Sequence, residues 1–217
     1  TDKKTMRRSL FLVALAIASA MSVKAQKTYT YEAAQTEYDA AMQLFDAEMY
    51  GAAHAAFKEI SEKYDGQQEI IPTDARYFSA VCAKILNNDD APVLMNQFLR
   101  ECKQSIRRHD MYYQLGDYYL RNGSERQALK WFIEANDKKV DPDLRNDLNF
   151  KTGYCYFVTG KHNKGLSYFD RLKATSMYDN AVKYYRAHTD YERGNLNEAL
   201  TAFIELEKDD GFSGVAP

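Results

Sequence analysis

The chain has 217 residues, 45% hydrophobic and 28% charged, with only 10 Gly, 4 Pro and 3 Cys. That composition excludes collagen-like, low-complexity, disulfide-scaffold and intrinsically disordered classes, and the length suits one or two domains with a sizeable core. A formal charge of −2 is too balanced for an electrostatic grip on nucleic acid.

The first element is a targeting segment. Met6-Arg7-Arg8 precedes an apolar run from Leu10 to Met21, and Val23-Lys24-Ala25 closes it before Gln26. A basic start, about 7–15 apolar residues and a small residue at an A-x-A-like site describe a secretory signal peptide. The run is shorter than the roughly 20 residues of a membrane span. Residues 1–25 are therefore read as a signal peptide with an N-terminal extension, and 26–217 as the mature chain. Cleavage removes five of the 29 basic residues and one of the 31 acidic ones, leaving 24 against 30, a net of −6. The expectation is an exported protein, periplasmic or outer-membrane-associated, with no membrane span after cleavage.

Export permits disulfides. Cys82, Cys102 and Cys155 are odd in number and irregularly spaced, and read as small buried hydrophobes. A Cys82–Cys102 bridge is the alternative, and it requires Cα atoms within about 7 Å.

Farther along, Gly123, Gly160 and Gly194 stand 37 and 34 residues apart, and Phe132, Phe169 and Phe203 repeat those intervals. Phe98 lies another 34 residues before Phe132. A period near 34 is that of stacked helix pairs. Within one unit, Tyr112, Leu115, Gly116 and Tyr119 share a face at i, i+3, i+4, i+7. Asn122-Gly123 supplies a turn through positive φ. Ser124 and Gln127 form a capping-box pattern, in which each side chain satisfies a free helix N–H. Ala128, Phe132 and Ala135 make the apolar face of a second helix, and Asp141-Pro142 closes the unit.

These residues resemble the tetratricopeptide repeat (TPR). Its 34-residue pattern has an aromatic at position 4, Leu-Gly at 7–8, Tyr at 11, Gly at 15, Ala at 20, an aromatic at 24 and Ala at 27. Tyr112, Leu115, Gly116, Tyr119, Gly123, Ala128, Phe132 and Ala135 fill all eight positions. The next unit matches at Gly153, Tyr156, Gly160 and Phe169, with Gly165 and Leu172 at the alanine positions. The last keeps Ala187, Gly194, Ala199 and Phe203, with Asp190 replacing the position-11 aromatic. Ala41, Tyr50, Ala53 and Phe57 fit an earlier unit. Ala75 to Glu101 fits loosely, with a turn at Asn87-Asn88-Asp89-Asp90 that lacks Gly.

The resemblance covers roughly Thr36 to Lys208, and the run of divergent repeats after a signal peptide looks like exported TPR proteins of Bacteroidetes-type bacteria. It implies an all-α fold, a right-handed superhelical solenoid of about five stacked antiparallel helix pairs. Asp209-Asp210-Gly211-Phe212 and the residues to Pro217 supply no polar capping helix, so the repeat array is expected to continue beyond Pro217.

No GxGxxG after a strand, P-loop, HExxH or GxSxG is present. His54, His109, His162 and His188 are scattered over different units, and no metal site or cofactor is expected. The acidic pairs Asp89-Asp90 and Asp209-Asp210 read as solvated turns.

The resemblance implies a binding surface instead. In TPR folds the first helix of each pair lines the concave side through positions 2, 5, 6, 9, 12 and 13. Transferred here, these give Tyr113, Gln114 and Asp117; then Phe150, Lys151, Tyr154 and Phe157; then Tyr184, Tyr185, His188 and Tyr191. Tyrosines offer large apolar area at small entropic cost, with a hydroxyl for a peptide backbone. The Lys/Asn pair that clamps a C-terminal carboxylate in some TPR modules is replaced by Tyr113/Asp117, Phe150/Tyr154 and Tyr184/His188, which supply no cationic clamp. The expected function is a non-enzymatic scaffold of the cell envelope binding a protein or peptide. The alternative is a repeat targeting arm of a longer enzyme or envelope transport assembly whose active part lies beyond this chain.

Overall fold

A computed structural model describes residues 30–66, 70–135, 137–173 and 177–208, and these contain ten α-helices and no strand. The signal-peptide reading of residues 1–25 and the uncapped end at 209–217 lie outside the described residues. The chain divides into two compact units, residues 1–91 and 92–217.

The first unit holds α1 (30–46), α2 (Tyr50–Lys63) and α3 (Ile70–Ile85). Pro72 falls in the first turn of α3, where its missing N–H costs no intrahelical bond. Phe57 and Phe78 stack at 5.3 Å, and Tyr38 and Phe45 close on them from α1. Glu37 of α1 accepts from the Lys63 ammonium at 2.6 Å and the Tyr64 hydroxyl at 3.0 Å.

The second unit opens with α4 (Ala91–Glu101), whose first residue is the last of unit one. Then follow α5 (Arg108–Arg121), α6 (Glu125–Glu134), α7 (Arg145–Val158), α8 (His162–Phe169), α9 (Asp179–Glu192) and α10 (Leu196–Glu207). From α5 onward each helix packs on the next. The core between α5, α6 and α7 contains Ala128, Phe132, Ala135, Leu148 and Cys155. All three cysteines are buried and free, and burial pushes the Cys82 and Cys155 thiols up to about 12.

One turn geometry recurs five times. Glu48, Asn87, Gly123, Gly160 and Gly194 have φ of 58°, 57°, 67°, 78° and 82°. Each donates its N–H to the carbonyl three residues back. The following residue donates to the carbonyl five back, as in Ser124 N to Tyr119 O at 2.9 Å and Met49 N to Leu44 O at 2.9 Å. This is the Schellman closure, which satisfies the last carbonyls of the preceding helix. Glycine is suited to that conformation, and Asn87 and especially Glu48 adopt it against the Cβ clash.

The turns correct three details of the sequence reading. Ser124 makes no side-chain cap on α6; its backbone carbonyl accepts from Gln127 and Ala128 N–H instead. Asp141-Pro142 does not close a unit but opens the next. Asp141 caps a 3-10 turn at Pro142–Leu144 by accepting from Asp143 N–H at 3.0 Å, and this turn runs into α7. Finally, Phe98 is not the counterpart of Phe132. Phe57, Phe132, Phe169 and Phe203 each follow their left-handed residue by nine, whereas Phe98 follows Asn87 by eleven. In α4 the buried set Ala91, Met95, Phe98 aligns with Ala128 and Phe132 of α6 and with Ala135 just after it, which makes Met95 the counterpart.

Glycines at helix contacts serve packing rather than turning. A Cβ on Gly116 would lie 2.3 Å from the Phe132 ring, and one on Gly153 would lie 2.5 Å from Phe169. Gly165 occupies the position of Ala128, and a Cβ there would stand 2.8 Å from the Gly153 carbonyl oxygen. The α7/α8 pair thus brings two backbones together where α5/α6 brings backbone to methyl group.

Candidate functional site

The residues singled out on α5, α7 and α9 all lie in the second unit. On α5 and α7 they build a polar network. Lys151 projects between two carboxylates, 2.6 Å from Asp117 Oδ1 and 2.7 Å from Asp147 Oδ2. Arg121 adds a second cation 3.0 Å from the other Asp117 oxygen. The Asp117 side chain is only 2% exposed, so this pairing offsets a carboxylate desolvation that otherwise costs several kcal/mol, by order of magnitude. Asp147 also accepts from the Tyr113 hydroxyl at 2.5 Å and from the Tyr178 hydroxyl. Burial raises the Tyr113 phenol first, with the Asp147 charge adding to it, and raises Tyr178 in the same way. Both phenols are therefore held neutral as donors. The Lys151 ammonium lies 5.4 Å from the Tyr113 ring centre, so the ring face also meets the cation.

Beyond this network the α7–α9 contact is aromatic. Phe150 stacks on Tyr178 at 4.1 Å, almost parallel at 8°. Tyr185 sits among Phe157 (4.7 Å), Phe169 (5.5 Å) and Tyr154 (6.0 Å). Its phenol is pushed up to about 12, chiefly by burial and then by the Tyr154 charge. Tyr184 continues the chain of rings to His188 at 6.3 Å and to Phe203 of α10 at 5.9 Å. At the far end His162 stacks on Phe157 at 4.4 Å and reaches Glu192 Oε2 at 2.5 Å, while His188 Nδ1 is 3.8 Å from the other Glu192 oxygen.

The eleven residues do not share one exposure. Tyr113, Gln114, Asp117 and Phe157 are buried. Phe150, Lys151, Tyr154, Tyr184, Tyr185 and His188 are half-buried, and Tyr191 is 62% exposed. Sequence reasoning missed Asp147 and Tyr178, which hold the network together. It also missed the pairing of His162 with Glu192. The spacings of Asp147 to Lys151 and His188 to Glu192, both i to i+4, are signals that could have pointed to them.

Among the described residues no helix is long and apolar enough to cross a membrane. No protein-family model and no curated relative matches the chain. Solved structures do. YrrB, described as a TPR protein with an unusual peptide-binding site, superposes with a TM-score of 0.61 at 18% identity over 82% of this chain and 88% of YrrB. MamA AMB-1 gives 0.60 at 16% identity, over 85% of this chain and 98% of MamA. PilW, a type IV pilus biogenesis factor, gives 0.55 at 20% identity over 80% and 76%. These likenesses establish the helical-repeat fold of TPR proteins for the described residues.

Proposed function

We propose that this chain is a non-enzymatic protein-interaction scaffold of the cell envelope, holding an extended peptide or a partner subunit against the aromatic face of α7 and α9. The observation that carries the reading is the unbroken run of ring contacts from Phe150 through Tyr185 to Tyr184, with Tyr154, Tyr184 and Tyr191 open to a partner. Tyrosine rings fixed by their neighbours lose little entropy on binding and keep a hydroxyl for a peptide carbonyl or N–H. In this reading Tyr113, Gln114 and Asp117 support the face from beneath, and Lys151 is the cation at its edge. The fold shared with YrrB, which carries a peptide-binding site, supports the binding role, and the likeness to the pilus factor PilW agrees with an envelope setting. The basic-then-apolar segment before Gln26 supports export.

The test is capture from envelope extract by the mature chain and by a Tyr154→Ala, Tyr184→Ala, Tyr191→Ala variant with unchanged circular dichroism. Each truncation is expected to weaken the partner by about 1–2 kcal/mol, so the triple variant loses it. A partner held equally by both proteins moves the interface off this face.

A further inference from the structure

We propose that the open recess between α8 and the end of α9 receives the carboxylate side chains of an acidic segment in a protein partner. The inference rests on the reading of the neighbouring α7/α9 face as a binding surface, and adds the charge of what binds there.

The recess holds about 470 Å³ and is lined by Lys161, His162, Lys164, Glu192 and Arg193 among others. Lys161, Lys164 and Arg193 are exposed, and none of the three pairs with a carboxylate among the described residues. Arg193 donates to the amide oxygen of Asn163, a neutral partner, and the Lys164 ammonium lies 5.8 Å from the Tyr156 ring centre. Nearby Lys151, Arg171, Lys183 and Arg186 all have carboxylate partners. The acid of the wall, Glu192, already meets His162 at 2.5 Å and His188 at 3.8 Å. No side chain caps the N-terminus of α8, whose dipole adds positive charge at the same mouth.

The preceding helix pair is an internal control. Gly116 and Gly153, Gly123 and Gly160, and Phe132 and Phe169 are each 37 residues apart. A recess of about 440 Å³ stands at the same place between α6 and the end of α7. There Ser124, Glu125, Arg126 and Gln127 take the places of Lys161, His162, Asn163 and Lys164, and Thr159 takes that of Arg193. Its charges, Glu125 and Arg126, cancel. The repeat therefore supplies the recess, and the α8/α9 sequence adds three uncompensated cations.

A short peptide suits this charge better than a broad polyanion does. The chain as a whole carries −2, which a membrane surface meets, whereas a short segment feels the cations within about 10 Å. The Phe157 ring joins the recess to the aromatic face, 4.4 Å from His162 and 4.7 Å from Tyr185. Tyr191 lies two residues before Arg193, so a segment on the tyrosines has the cations within reach.

The experiment titrates the full chain, by calorimetry, with two octapeptides blocked at both ends. One alternates glutamate with tyrosine, the other glutamine with tyrosine. The glutamate peptide is expected to bind about tenfold tighter, with the preference vanishing near about 1 M salt. Lys161→Gln with Lys164→Gln is expected to level the two peptides and leave the affinity for the glutamine peptide unchanged. Lys130→Gln with Lys139→Gln removes the same charge elsewhere and is expected to keep the preference. No preference in the natural chain, no binding of either peptide, or a preference that both double variants reduce alike overturns the inference. So does retention on phosphatidylglycerol vesicles that Lys161→Gln with Lys164→Gln abolishes, which assigns the recess to a membrane. The Tyr154→Ala, Tyr184→Ala, Tyr191→Ala variant separates the two readings. Unchanged affinity for both peptides in that variant, with glutamate still preferred, means that the face fails and the recess binds by itself.

Discussion

The pairs α5/α6 and α7/α8 use one plan and fill it differently. Both end their first helix in a left-handed glycine and press a phenylalanine onto a helical glycine. In α5/α6 the gap is closed by side chains, with the Ala128 methyl against the partner helix and Tyr112 on Trp131. In α7/α8 the backbones themselves close in at Gly153 and Gly165, and the ring at 149 is absent. The inward positions differ too. Gln114 and Asp117 of α5 correspond to Lys151 and Tyr154 of α7, so a polar layer in one pair meets a mixed cation–aromatic layer in the next. Turn and helix-contact positions thus carry the repeat, and the positions between helices are free to vary.

The largest test of that difference is Lys151→Met. It strips the ammonium from Asp117 and Asp147 together, and is expected to cost about 3–5 kcal/mol in urea unfolding because a buried carboxylate is left short of its partner. Gln114→Met, the corresponding change in α5, removes no buried charge and is expected to cost about 1 kcal/mol. Equal losses would mean that the network contributes nothing beyond packing.

Of middle size is the exchange of small residues. Gly165→Ala forces a methyl to 2.8 Å from the Gly153 carbonyl oxygen and is expected to destabilise by about 1–3 kcal/mol. Ala128→Gly, at the same repeat position, adds backbone freedom to the unfolded chain and is expected to cost about 1 kcal/mol. A stabilising Gly165→Ala would show that the two helices do not approach as closely as described.

Smallest, and shared, are the turns. Gly123 and Gly160 have φ of 67° and 78° with open space where a Cβ would go. Alanine at either is expected to cost the same, about 1–2 kcal/mol, from backbone conformation alone. The same reasoning predicts that Glu48→Gly stabilises, by up to about 1 kcal/mol. Unequal alanine costs, measured by thermal unfolding, would show that the turns are not the common part of the two pairs.

Much of the fold was legible. The glycines and phenylalanines of the later units marked both turn and contact, because a left-handed turn and a ring over a Cα hydrogen each admit few residues. The first two turns were harder to read. Glu48 and Asn87 hold the same conformation without glycine, their hydrogen bonds and packing outweighing a cost of about 1–2 kcal/mol. The interval from Phe98 to Phe132 misled because the residue of α4 that takes the ring's place is Met95, eight residues after Asn87 rather than nine, and Phe98 lies one turn farther along the same buried face.

The candidate site was legible only as a set of faces. Periodicity places Tyr113, Asp117 and Lys151 on inward stripes, and it does so whether they meet solvent or one another. That Lys151 reaches the buried Asp117, and that Tyr113 and Tyr178 converge on Asp147, follows from the distance between α5, α7 and the start of α9. Helix content, turn positions and the glycine–phenylalanine contacts are local or near-local in the chain, so the residues by themselves determined them. The Lys151–Asp117 ion pair, the convergence of Tyr113 and Tyr178 on Asp147 and the split between supporting and accessible aromatics depend on how separate helices approach. Tertiary packing alone decided those, since a side chain's partner is set by neighbours some 30 residues away.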